Sequence, residues 1–171
     1  MKIPPIVTRT GYLVLLGSAV MWAASLNNAD KQFLMTAAKN DMTLAHEGQM
    51  AQNQATRADL KDFGKTLVQD HSMSYWQLSQ LASKEGVAIP KGINVSHDRN
   101  IEQLGHLKGA NFDRQFASDE VTTDRQMLTA FRREAKDGKD SDVKAYANKM
   151  IPVLQKHLQT AEQFSKPTRK S

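Results

Sequence analysis

A chain of 171 residues, 40% of them hydrophobic and 24% charged, holds enough material for one domain with a real core. Lys and Arg exceed Asp and Glu by 23 to 18, for a formal charge of +5, but the two signs are interspersed and no aromatic-studded basic stripe appears, so nucleic acid is excluded as a partner. There is no cysteine, which excludes disulfides and thiolate metal sites.

In chain order, the first feature is the apolar run from Gly11 to Leu26, preceded by Lys2 and Arg9. Its length fits either the apolar part of a secretory signal or a short membrane-spanning helix. For a signal, Ala23-Ala24-Ser25 offers a cleavage site; for an anchor, the span covers residues 6–26, with Tyr12 and Trp22 near the two interfaces. The anchor reading gives membrane lipid as a partner and places the protein in the inner membrane, single-pass, with its N-terminus inside and the remainder in the periplasm. The alternative is release into the periplasm after cleavage. Residues 1–27 are thus anchor or signal, 28–164 the folded domain, and 165–171 a basic flexible tail.

The folded part reads as four helices. Asp30 caps the first, and Phe33, Ala37, Leu44, Gly48 and Ala51 recur at steps of three and four up to about Ala55. Thr56 with Asp59 resembles a capping box for the second, whose stripe of Leu60, Phe63, Leu67, Leu78 and Leu81 stops at Gly86. Val87 to His97, with Pro90 and Gly92, is a loop, and Asp98 to Lys108 a short helical piece. The third helix runs from about Asn111 to Ala135 and is closed by Gly138; the fourth starts at Ser141 and contains Pro152. No strand pattern is present. The predicted class is all-α: a ferritin-like up-and-down four-helix bundle with an extended middle connection, behind an N-terminal membrane-spanning or signal helix.

Polar residues on the apolar stripes are the candidate site. His71 follows Leu67 by four, His157 follows Leu154 by three, Glu120 follows Phe116 by four, and Glu47 follows Leu44 by three, so each helix turns one such group inward. Counted from the turn between the third and fourth helices, Glu120 and His157 lie roughly 16 residues, or about 24 Å, down. Counted from the turn between the first two, His71 reaches a similar level, opposite Asn40 and Asp41, with Glu47 about 10 Å higher. Asp124 lies one turn from Glu120. Two imidazoles with carboxylates in a helical core are the ligand chemistry of non-haem iron, manganese or zinc. Di-iron bundles, however, use Glu-x-x-His on two helices, and Val68 and Leu154 stand at those places here. The competing reading is that His71, Glu120, Asp124 and His157 only hydrogen-bond and hold the helices together, with no cofactor.

The segments Val68-Gln69-Asp70-His71, Gly109 to Arg114 and Ile151 to Leu154 with His157 together resemble the exported bacterial family DUF4142 over nearly all of Asp30 to Phe164. The resemblance implies a ferritin-like bundle outside the cytoplasm with no established reaction. Where that family usually has glutamate and histidine, this chain has Leu44 and Asp124, so two inward positions differ from the pattern. That departure, with the apparent anchor, favours a non-catalytic accessory protein contacting a membrane protein complex, with Trp22, Tyr75 and Trp76 as candidate interaction residues. A metal-binding oxidoreductase or metal-storage protein is the alternative. His46, His97 and His106 read as surface residues.

Overall fold

The computed structural model describes residues 26–93 and 99–165, and all five elements among them are helices: α1 (Asn28–Gln54), α2 (Ala58–Lys84), α3 (Arg99–His106), α4 (Gly109–Asp137) and α5 (Ser141–Ser165). The four long helices and the short helical piece expected between residues 28 and 164 are all present, but two of the expected caps are used differently. Asn27, not Asp30, caps α1, its Oδ1 accepting from the backbone N–H groups of Ala29 and Asp30 at 2.7 and 3.0 Å. Asp30 lies one turn further along and is buried, where its carboxylate accepts from the backbone N–H groups of Lys139 and Asp140 in the turn between α4 and α5. Thr56 forms no capping box with Asp59. Its hydroxyl donates to Asp113, and its backbone N–H donates to the same carboxylate at 3.0 Å, while Asp59 pairs with Arg57. Gly86, at φ +65°, closes α2 in the left-handed conformation that glycine adopts without a Cβ penalty.

These two long-range carboxylates fix the path of the chain. Asp113 in the first turn of α4 meets the α1–α2 turn, and Asp30 in the first turn of α1 meets the α4–α5 turn, so the two turns lie at opposite ends. The hairpin α1–α2 packs against the hairpin α4–α5, with α1 beside α4 and α2 beside α5. Residues 85–108 then carry the chain from one end to the other, so the four long helices run up, down, down and up. The Asp30→Ala variant is expected to lose about 2 kcal/mol, because two backbone N–H groups lose their acceptor; urea unfolding measures it.

Among the described residues, no helix is long and apolar enough to cross a membrane. Each long helix is striped with charge on its outer face, as in α4, where Arg114, Asp119, Arg125 and Arg132 interrupt the apolar positions. The expected placement as a single-pass inner-membrane protein is corrected by this finding. The leader on which it rested, with Trp22, lies outside the described residues up to position 25, as do His97 and the tail from 166 onward.

The apolar interior is divided. One cluster gathers Phe33, Leu34, Leu44, Leu78, Met127, Phe131, Val143 and Leu154; the other gathers Met50, Leu60, Phe63, Leu67, Ile101, Phe112, Phe116 and Ala161. On α2, α4 and α5 the residues between the two sets are His71 and Ser74, Glu120 and Asp124, and His157, all buried. On α1, Glu47 takes the same place and Asp41 lies nearly two turns before it, one turn before Leu44. A polar band thus separates two apolar halves.

Candidate functional site

The band is built from residues at helical steps. Asp41 follows Ala37 by four, Ser74 follows His71 by three, and Tyr146 follows Val143 by three, so each falls on the inner stripe of its helix. Asp41 is the hub: its Oδ1 lies 2.9 Å from His71 Nδ1, and its Oδ2 accepts from the Ser74 hydroxyl at 2.7 Å. Ser74 is also bonded to the Tyr146 hydroxyl at 2.7 Å. Burial first, and then the charge of Asp41, push the Tyr146 phenol well above its ordinary range.

Beyond His71 the band continues to α5. The rings of His71 and His157 lie 5.2 Å apart between centroids, and His157 Nε2 is 2.8 Å from Asp70, whose side chain is 41% exposed while that of His157 is 1% exposed. Each imidazole therefore has one nitrogen against a carboxyl group, and the other, His71 Nε2 or His157 Nδ1, is buried with no hydrogen-bond partner. Burial, reinforced by the neighbouring His71, lowers His157 to about 4 against the opposing pull of Asp70, so the ring is neutral at pH 7.

The carboxyl groups of α4 form the second part. Both oxygens of Glu120 and both of Asp124 are buried without a hydrogen-bond partner. Burial raises Glu120 well above the carboxylate range, with Glu47 and then Asp124 adding repulsion, and burial pushes Asp124 up to about 8. Glu47, the expected outlier in depth, thus faces Glu120 across the α1–α4 seam. The four inward candidates His71, Glu120, Asp124 and His157 all lie in the band, and the two imidazoles are neighbours. Among the described residues no three His, Asp or Glu side chains are grouped so as to hold one ion.

The aromatic candidates separate. Tyr75 is partly buried and donates its hydroxyl to the Pro90 carbonyl at 2.8 Å, tying down the loop after α2, whereas Trp76 is 58% exposed next to Met73. Asp41, Ser74, Tyr146 and Asp70 were not among the expected site residues. The first three stood on inward stripe positions; Asp70 is next to His71 in sequence, and only the docking of α5 makes it a partner of His157.

The fold has known counterparts. A crystal structure of a DUF305 fragment from Deinococcus radiodurans superposes with a TM-score of 0.72 at 11% identity, covering 82% of this chain and 97% of that one. CopM in its Cu(I)-bound form gives 0.68 at 11% identity, covering 79% and 94%, and in its Cu(II)-bound form 0.67 at 13%, covering 80% and 95%. At these identities the likeness shows a shared fold. No curated protein matches the sequence. The family model of a domain of unknown function, DUF4142, matches residues 17–164, and the chain belongs to that family.

Proposed function

We propose that this protein binds a metal ion in its polar band, with His71 Nε2 and His157 Nδ1 as the ligand atoms. The observation that carries this reading is the pair of neighbouring buried imidazoles, each with one nitrogen held by a carboxyl group and the other unpartnered. A carboxyl group on the far nitrogen, which orients the ring and fixes its tautomer, is the usual support of a ligating histidine. Leaving buried polar atoms unpaired costs roughly 1 to 3 kcal/mol each, which an ion would offset. Glu120 and Asp124 have unpartnered buried oxygens in the same band but do not group with the two rings, so the ligand set rests on the two imidazoles. Imidazole suits copper, zinc and iron, and some structural neighbours are copper-bound, so copper joins the iron, manganese and zinc expected from the residues. Four long helices joined by one long crossover also have the connectivity of ferritin-like bundles, whose cores carry such sites.

The test is titration of chelator-stripped protein with Cu(II) and with Zn(II), followed by calorimetry. One equivalent is expected to bind. The His71→Ala, His157→Ala double variant is expected to bind at least 100-fold more weakly, about 2.7 kcal/mol, with His46→Ala unchanged. Equal affinity in the double variant and the wild type sinks the reading. A second, interaction role is favoured by Met73 and Trp76, which lie one turn apart on α2 and are 56% and 58% exposed.

A further inference from the structure

A second feature lies away from the band, at the end of the molecule where α1 begins. Between α1 and α4 runs a groove of about 770 Å³, within the range of small-molecule sites. Its floor is apolar, with Phe33, Ala37, Met127, Ala130 and Phe131, and its polar lining includes the acids Asp30, Glu134 and Asp137 and the cations Arg133 and Lys139. The two kinds of surface meet at Phe131 and Glu134, one turn apart on α4.

The lining around Asp30 and Glu134 is rich in acceptors. Asp30 already takes the backbone N–H groups of Lys139 and Asp140. Glu134 is 6% exposed, and its Oε1 is buried with no donor among the described residues. That oxygen occupies the space beside Gly138, where a Cβ would come within 2.5 Å of it, so the glycine makes room for it. The Glu134 carboxyl also shares a hydrogen bond with Asp30. Burial, and then the charge of Asp30, raise it to about 7, with Arg133 and Lys144 offsetting only part of this. Two carboxyl groups closely paired at the end of an apolar trough leave a place for a cation that can donate hydrogen bonds.

We propose that the groove is a binding site for a primary alkylammonium, its hydrocarbon chain lying over Phe33, Ala130 and Phe131 and its ammonium donating to Glu134. A carboxylate head at the same place would meet Asp30 and Glu134 as like charges, so the preference for a cation is set at Glu134, against the opposing charges of Arg133 and Lys139 elsewhere on the lining. The inference is independent of the metal site, which shares no residue with the groove.

Calorimetric titration of the full chain with n-octylamine and with octanoate at pH 7.5 tests it. Octylammonium is expected to bind at least tenfold more tightly than octanoate. Glu134→Gln is expected to lose at least tenfold in octylammonium affinity. Ala130→Leu, which fills the floor and keeps both carboxyl groups, is expected to lose a similar amount, and it decides the matter should Glu134→Gln fail to fold. Equal affinity for the two head groups, no octylammonium binding, or undiminished binding by both variants would overturn the proposal.

Discussion

Between pH 6.5 and 8.5, with a chelator present, the protein is expected to lose about 2 kcal/mol of stability or more. The loss comes from Glu120 and Asp124. Both have folded-state pKa values raised above their unfolded ones, Asp124 to about 8, so the folded state holds protons that the unfolded state has released. Stability from such a group is fully present below its unfolded pKa and is lost as pH rises through the folded value. Asp124 contributes a slope of nearly one proton in the lower part of this window, and Glu120 adds to it in the same sense. His157 acts in the opposite sense and at lower pH. Its pKa is lowered to about 4, so its contribution is present above 6.5 and fades as pH falls toward 4. Above 6.5 the carboxyl groups therefore act without that opposition, with Glu134 adding a smaller part. Urea unfolding at the two pH values measures the loss. Asp124→Asn is expected to reduce it, and the Glu120→Gln, Asp124→Asn double variant to remove nearly all of it. An unchanged slope in the double variant would rule out these carboxyl groups as its source.

Gly64→Ala is expected to destabilise the protein by about 3 kcal/mol. Gly48 on α1 and Gly64 on α2 face one another where the two helices touch. A Cβ on Gly64 would lie 2.6 Å from the Gly48 carbonyl oxygen and 2.8 Å from Ala51 Cβ, and a Cβ on Gly48 would lie 2.7 Å from the Gly64 carbonyl oxygen. Those oxygens belong to helix backbone, so the new methyl is accommodated only by moving one helix away from the other. Alanine gains roughly 1 kcal/mol of helix propensity over glycine, and the separation of α1 from α2 outweighs it. The control is Gly92→Ala, where nothing lies within 4 Å and no comparable loss is expected. A Gly64→Ala protein that unfolds at the wild-type urea concentration would show that the crossing tolerates the wider spacing.

Much of this organisation is legible in the sequence because helical periodicity is a local property. Phe33, Ala37, Leu44 and Ala51 on α1, and Phe112, Phe116, Met127 and Phe131 on α4, are all buried on the stripes that their spacing predicts. His71, Glu120 and His157 are recognisable as inward for the same reason. Counting depth from both turns as though they shared one end still placed His71 near His157, because a residue near the middle of a long helix is at mid-depth whichever end is counted from. Partner choice is less accessible. Thr56 and Asp59 have the spacing of a capping box, but Asp113, 57 residues further along the chain, takes Thr56. Asp30 looks like a cap at its own helix start and serves the turn between α4 and α5 instead. Both outcomes depend on how the hairpins dock, which no local pattern encodes. The leader illustrates the other limit: its hydrophobicity is plain, but none of the described helices repeats it.

The polar band has a further consequence for how the centre comes together. The α1–α2 pair supplies Asp41, Glu47, Asp70 and His71, and the α4–α5 pair supplies Glu120, Asp124 and His157: one imidazole with its acids from each side. The two contributions are chemically matched, like those of two subunits meeting across a dyad, and neither pair holds both rings. The strand of chain from 85 to 108 therefore acts as a tether. It replaces an encounter between separate molecules with one inside a single molecule, where effective concentrations reach the millimolar range, so the matched halves meet without depending on protein abundance.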